Sequence, residues 1–369
     1  MFFPYALIEI TTYCNASCLY CPSKNLKRKR EFMDFELFKK IVDDLLLNHD
    51  TPLIVFHILG EALLHQKLFE MADYIRSTAR NPVNLQLTTN GLLLQSDTIR
   101  DRVLNSGIHR IRISVRALNE TEYGLKFSDH SPTMTYPDYM NAIVSFVRKV
   151  HEKKSDILVS LCYFHTVYSP FKLVFPYPFI DKITQVKRLV KNWHTVIEEY
   201  KQTIPLKQIK MIKSLRSISK EERAIRLSEN LELRIEPIGL WQNQLISDDY
   251  FLKESATGKC QLSQGLNINV KGEMIGCCAD YDCNLIFGTL RESSIETILN
   301  SQNYRKFRAN MDEGKLIMPI CRKCMGTISR KSTGRAVKLS PPKLLLYLML
   351  LKENPGLFLK KLKERFRRA

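Results

Sequence analysis

Three cysteines stand close together in "TTYCNASCLYCP", residues 11 to 22, with Cys14, Cys18 and Cys21 spaced C-x3-C-x2-C. Thiolates at this spacing can wrap an iron–sulfur cluster from a single loop. Three is an odd set for disulfides and one short of a closed tetrahedral zinc site. Such a set leaves one metal position without a protein ligand, which is how catalytic metal sites differ from structural ones. The plainer alternative is a structural zinc loop whose fourth ligand lies elsewhere. Six more cysteines follow in the last third of the chain: Cys260, Cys277, Cys278, Cys283, Cys321 and Cys324. The tenth, Cys162, is mid-strand in "SLCYF" and reads as an apolar core residue.

These residues need a frame. Strand-like runs alternate with helical patterns over the first two-thirds of the chain. "ALIEITT" leads into the cysteine loop and is followed by the helical "DFELFKKIVDDLLLN". "LIVFHIL", "NLQLTTNG", "RIRISVRA", "DILVSLCYF" and "LELRIEPIG" make about six strands in all, with helical patterns between them and a basic, largely helical stretch from about 181 to 227. This alternation implies a parallel sheet with right-handed crossovers, open or partly closed as a barrel. Function in such barrels collects at the C-terminal ends of the strands. After about residue 250 the rhythm changes. "GLNINVKGEMIGCC" reads as a hairpin turning at Lys271-Gly272, then a helix near 294 to 310 leads to "PICRKC".

With its cysteine loop after the first strand, the chain resembles the radical S-adenosylmethionine (SAM) enzymes. The resemblance implies an α/β fold, a partial parallel (β/α)6 TIM-like barrel. Tyr20, just before the third cysteine, stands where that family usually carries an aromatic near the adenine. Leu59-Gly60-Glu61-Ala62 resembles the family's Gly-Gly-Glu-Pro motif, with only the central Gly-Glu kept, and implies a contact to the amino group of SAM. Asn90 in "TTNG" matches the end of the third strand. Ser114 falls where the family often places a polar residue toward the ribose or carboxylate, and Arg116 stands where related chains often carry an acid. Taken singly, each has a plain reading; Asn90-Gly91, for one, is a common turn. Their order after successive strands carries the resemblance. It implies that SAM chelates the open iron, and that an electron from the cluster breaks its C–S bond to give a 5′-deoxyadenosyl radical.

Cys260-x11-Gly272-x4-Cys277, with Cys321-x2-Cys324 downstream, resembles the SPASM auxiliary-cluster domain in its truncated, twitch form. That implies a second [4Fe-4S] cluster on Cys260, Cys277, Cys321 and Cys324. Cys278 and Cys283 are then spare, or one of them replaces an assigned ligand; a structural zinc on four of the six is the alternative. The expected layout is a radical SAM barrel over 1–248, a SPASM/twitch-like domain over 249–335, and a basic amphipathic tail over 336–369. "IEPIGLWQNQ" resembles the last barrel strand of SPASM proteins, and Trp241 within it serves packing or the site. Two clusters imply about eight irons per chain.

Composition sets the surroundings. The 369 residues are 44% hydrophobic and 25% charged, ordinary for a globular protein, but the net charge is +18. The segment 330–369 carries twelve Lys/Arg against two Glu, so most of that excess belongs to the tail. "PPKLLLYLMLLKENPGLFLKKLKERFRRA" fits an interfacial helix on anionic lipid, or a helix docked on the protein's own surface. No nucleic-acid module accompanies the charge. The start, "MFFPYALIEI", lacks the basic region and cleavage pattern of an export signal, and "LLLYLMLL" is far short of the ~20 residues of a membrane span. A cytoplasmic protein is expected, with the tail allowing peripheral attachment at the inner face of the membrane. The basic run "KNLKRKR" reads as a solvated loop, or as a surface for an anionic substrate or electron donor.

Three functions fit. The first is an oxidoreductase acting on a sugar, glycolipid or other polar metabolite, supplied with electrons by flavodoxin or ferredoxin. The second is a peptide-modifying maturase that forms a crosslink or inverts a stereocentre. The chain reaches its barrel at once, without the leader-peptide-binding segment many maturases carry, which favours the first. The third is a non-enzymatic iron–sulfur electron carrier, which has no use for Gly60-Glu61 or Ser114. No catalytic acid or base stands out in the sequence.

Overall fold

A computed structural model describes residues 1–127, 131–165, 179–200, 203–214, 223–237, 250–260, 264–332 and 335–338. The strands, in chain order, are β1 (Ala6–Ile8), β2 (Leu53–Phe56), β3 (Asn84–Thr89), β4 (Arg110–Ile113), β5 (Leu158–His165), β6 (Arg223–Arg226) and β7 (Leu231–Pro237). There follow β8 (Tyr250–Lys253), β9 (Leu266–Ile268), β10 (Glu273–Ile275), β11 (Ile286–Thr289), β12 (Thr327–Ser332) and β13 (Arg335–Lys338). The large sheet has the order β11-β10-β9-β1-β2-β3-β4-β5-β7-β6. Within it β1, β2, β3, β4, β5 and β7 run parallel, the six strands expected of the partial barrel. The sheet does not close, since β6 and β11 end it at opposite edges.

The crossovers are α1 (Phe35–Asn48), α2 (Leu68–Thr78), α3 (Asp97–Asn105), the short α4 (Glu120–Gly124), α5 (Tyr136–Glu152), α6 (Ile183–Glu198) and α7 (Leu206–Ser214). The long crossover helices bury one stripe; in α1 it is Leu37, Phe38, Ile41, Val42 and Leu45, the three- and four-residue spacing of a helix face. Side chains set where the helices begin. Asp34, Ser96 and Thr135 accept a hydrogen bond from the amide three residues on, satisfying donors that a helix start leaves bare.

Alternation along the strands gives the sheet two faces. Ile54, Phe56, Leu85, Leu87, Ile111, Ile113, Val159 and Leu161 join the helices in one core. The other face of the β4–β7 region carries charge, with Glu232 bonded to Ser160 and Arg234, and Glu236 paired to Arg112 and Arg116. A barrel interior is ordinarily filled by bulky aliphatic side chains. Here the face opposite the helices carries ion pairs instead.

The second cysteine region is built onto the barrel. The hairpin expected at Lys271-Gly272 forms from β9 and β10, with Gly272 at φ +81, and β9 pairs parallel with β1. The single helix expected near 294 to 310 is two, α8 (Ile295–Asn300) and α9 (Gln302–Asp312). Ser301 divides them, extended at the end of one and capping Tyr304 N of the next. "PICRKC" forms α10 (Pro319–Cys324), and β8, β12 and β13 make a small antiparallel sheet that sequence periodicity did not indicate. Trp241 and the tail beyond Lys338 lie outside the described residues. No helix among the described residues is long and apolar enough to cross a membrane.

Candidate functional site

The cysteine loop leaves the C-terminal end of β1 and is braced from three sides. Ser17 N and Leu19 N donate to Lys126 O and Leu125 O at 2.9 and 2.8 Å, tying it to the segment after α4. Thr12 N donates to Glu31 O at 3.0 Å, so the chain beyond the loop folds back along its base. Glu61 N donates to Tyr13 O at 2.7 Å, which brings the Gly-Glu turn after β2 against the approach to Cys14.

Cys14, Cys18 and Cys21 open together on a cavity of about 330 Å³, which Tyr20, Gly60, Glu61, Asn90, Ser114 and Arg116 also line. Every residue singled out around the first cysteine set thus meets at one place, though with unequal tasks. Glu61 is buried and its two oxygens accept Asn90 N at 2.6 Å and Leu63 N at 3.1 Å; burial raises its pKa while those amide donors oppose the shift. Asn90 donates to Asn15 Oδ1 at 2.7 Å and to Cys14 Sγ at 3.6 Å, so it positions the loop. Tyr20 forms an aromatic corner with Phe164 and Phe179, at centroid distances of 5.2 and 5.8 Å. Arg116 takes a left-handed backbone, φ +60, and its guanidinium pairs with Glu236 while lying 3.8 Å from the Phe164 ring centroid. Ser114 donates its amide to Thr89 O at 2.8 Å and turns into the cavity.

Two ionisable lining residues, Lys126 and His57, escaped the sequence reading. Lys126 is fully buried, its Nζ donating to Ser114 O at 2.6 Å; burial lowers its pKa, and Cys18, Cys14 and Glu61 pull the other way. Nothing in "YGLKF" flags this lysine beyond a lone cation among apolar neighbours. His57 follows β2 and is exposed where it opens on the cavity; desolvation by the surrounding cavity walls, then the Arg112 and Arg116 charges, lower its pKa. Cys278, from the second set, also lines this cavity.

The second set gathers around Cys260. Gly258 N bonds Gly314 O at 2.9 Å and Ser255 N bonds Arg322 O at 3.0 Å, drawing the Cys260 segment against α10. Cys260 lies near enough to Cys277, Cys278, Cys321 and Cys324 to disfavour their ionisation, after burial as the larger cause. Cys283 stands apart: its sulfur accepts Asn269 Nδ2 at 3.3 Å, and it packs with Leu7, Val55, Ile58 and Ile275. Cys162 is fully buried within β5, on the face that also carries Arg112, Arg116 and Glu236.

Burial pushes the Cys14 and Cys21 thiols up to about 12, so a cation beside them is what would hold them as thiolates. Among the described residues no three His, Cys, Asp or Glu side chains converge on one point as around a single ion. A cluster takes its thiolates at separate irons, and a cysteine loop open on one side of a cavity suits it.

Comparison with known families agrees with this geometry. The family model described as the radical SAM superfamily matches residues 8–166, and the SPASM iron–sulfur cluster-binding domain matches residues 260–325. A tungsten-containing aldehyde ferredoxin oxidoreductase cofactor-modifying protein of Pyrococcus furiosus is 30% identical over 97 residues, 26% of this chain and 26% of that protein. A GTP 3′,8-cyclase of Campylobacter jejuni is 26% identical over 144 residues, 38% of this chain and 41% of that protein. The matched stretches thus span less than half of either curated relative. The structure of native anSMEcpe with bound AdoMet superposes with a TM-score of 0.53 at 13% identity, covering 98% of this chain and 99% of that one, a likeness of fold. The fold, the two cysteine sets and the two family matches together give this chain a radical SAM superfamily domain over residues 8–166 and a SPASM domain over residues 260–325, the domains that go with SAM and iron–sulfur clusters.

Proposed function

We propose that this enzyme takes hydrogen from a carbon of a sugar, glycolipid or other polar metabolite, oxidising or otherwise modifying it. In this reading Cys14, Cys18 and Cys21 hold the catalytic [4Fe-4S] cluster, and Cys260, Cys277, Cys321 and Cys324 an auxiliary one. SAM held in this cavity would supply the chemistry, hydrogen abstraction after one-electron reductive cleavage. Tyr20, Gly60, Glu61, Asn90, Ser114 and Arg116 shape the SAM pocket, Glu61 and Asn90 by fixing the loops around it.

The observation that carries the reading is a single cavity lined by the three loop cysteines, the Gly60-Glu61 turn, Ser114 and, from the SPASM segment, Cys278 and Ala279. A substrate held there meets both cysteine regions at once. The partial likeness to GTP 3′,8-cyclases favours a polar small molecule over a peptide. Residues 1–248 then form the radical-generating unit, 249–335 the auxiliary unit, and the basic 336–369 a tail suited to an anionic membrane surface. A one-electron reductant such as flavodoxin or ferredoxin completes the system.

The test is cleavage of SAM to methionine and 5′-deoxyadenosine by the anaerobically reconstituted protein with dithionite. The wild type is expected to cleave, and the Cys14→Ala, Cys18→Ala, Cys21→Ala triple variant is not. Cleavage retained by the variant would remove the site, and none by the wild type would remove the function.

A further inference from the structure

The basic run that follows the cysteine loop is half structural and half unused. After Cys21 the chain makes a short 3-10 turn, Pro22–Asn25, and then doubles back along residues 11–13. Thr12 N bonds Glu31 O at 3.0 Å, Thr11 bridges to Phe32, and Met33 N bonds Ile10 O at 2.8 Å. Residues 22–33 therefore form a collar against the approach to Cys14. Burial alternates along it: Lys27 and Lys29 are exposed, whereas Arg28 and Arg30 are partly buried.

Chemistry follows the same alternation. Arg28 forks onto Glu9 at 2.6 and 2.7 Å and also donates to Tyr281 O at 2.7 Å. Arg30 donates to Ser23 O at 2.8 Å and to Thr12 O at 3.2 Å. A planar guanidinium suits such fixed inward bonds, and a flexible ammonium suits a solvated charge. Lys24, Lys27 and Lys29 are the outward ones, exposed and without an ion pair among the described residues. In the same collar, three residues past Lys29, Phe32 stacks on Tyr13, with ring centroids 4.7 Å apart and planes 26° from parallel; the two are 46% and 40% exposed. Tyr13 is the residue immediately before Cys14. An exposed apolar pair and three exposed cations, carried by or stacked on the collar that follows the cysteine loop, suit a small interface with a negatively charged partner.

Resting on the function proposed above, reductive cleavage needs one electron per SAM, and that electron must enter from outside the chain. We propose that Lys24, Lys27 and Lys29, with the exposed Tyr13–Phe32 stack, form the docking surface for an acidic one-electron carrier protein that reduces the cluster. Opposite charge raises the encounter rate, and transient redox encounters form at the small end of interface sizes. The surface serves delivery of the electron and leaves the SAM pocket untouched.

The experiment measures SAM cleavage by the reconstituted full chain in two arms. One arm uses dithionite, and the other a reduced acidic flavodoxin or ferredoxin across a range of carrier concentrations. For the wild type, the carrier-driven rate is expected to fall as salt rises, because screening shortens the reach of exposed charges. In the Lys24→Glu, Lys27→Glu, Lys29→Glu variant, the carrier concentration for half-maximal rate should rise by about tenfold or more. Its dithionite-driven rate should match the wild type. A Lys→Gln triple variant should fall between the two, which separates lost attraction from damage to the collar. Carrier-driven cleavage that ignores both salt and the substitutions overturns the proposal, as does an equal loss in both arms. So would a variant that loses only its binding to anionic vesicles, since the surface would then face a membrane. Failure of the wild type with dithionite would instead strike the proposed function.

Discussion

Gly60 stands at φ +75, and a β-carbon built there would lie 2.3 Å from Thr11 O and 2.9 Å from Tyr13 O. Both neighbours are backbone at the foot of the cysteine loop, so neither can swing aside. Gly60→Ala is therefore expected to cost about 1–2 kcal/mol from the left-handed backbone alone, with displacement of the loop in addition. Less iron per reconstituted chain and a lower melting temperature would register it. An alanine variant that keeps full iron and wild-type melting would show that the loop does not rest on this turn. At this scale the sequence was legible wherever a residue type is scarce and positioned: three clustered thiols, or a Gly-Glu after a strand. Lys126, His57 and Glu236 were not, because their meaning comes from neighbours distant in sequence. The alternation in "RIRIS" and "LELRIEP" was visible. Its polar alternates pair with one another, Arg112 with Glu236 and Arg234 with Glu232, on the face opposite the helices.

Among the elements, α4 has only five residues yet carries the brace for the cysteine loop, since Leu125 and Lys126 follow it directly. Asn119 caps it, and the Glu122 carboxyl lies beneath, accepting Leu118 N at 2.8 Å. Burial raises the Glu122 pKa from 4.5 to about 7, with the Leu118 amide and Asn119 opposing the shift. The folded chain therefore holds this proton more tightly than the unfolded one. Its contribution is fully present below about pH 4.5 and is lost as pH rises through about 7. Glu122→Gln keeps the acceptor and removes the ionisation, so it should gain stability relative to wild type as pH rises from about 4.5 to about 7 and level off above that. Melting temperatures of both proteins across that range measure it; parallel curves would refute it. Elements of this kind were poorly legible beforehand. The six barrel strands lie in strand-like runs between long helical patterns, whereas β6, β12 and β13 are largely polar and α4 has only five residues. Their pairing is set by tertiary contact.

Across the whole molecule, the two cysteine regions are parts of one sheet, because β9 continues it beside β1. The hairpin was legible from its turn; its parallel seat on β1 joins residues about 260 apart and has no local signature. One ion pair fastens the junction. Glu9, fully buried just past β1, accepts both forks of Arg28 and the amide of Val270 at 3.1 Å, while Arg28 reaches Tyr281 O beside the second cysteine loop. Removing one partner of such a pair leaves a buried charge without compensation, which costs about 3–5 kcal/mol. Arg28→Ala is expected to lose that much in guanidinium unfolding of the reconstituted protein. Adding Glu9→Gln should restore a large part of it, because the unpaired carboxylate is the main cost and the amide can still accept from Val270. If Arg28→Ala falls within 1 kcal/mol of wild type (about the worth of an exposed pair), the junction is held by strand pairing and apolar contact instead. A loss that the second substitution fails to relieve would point to the Tyr281 bond as the contact that matters.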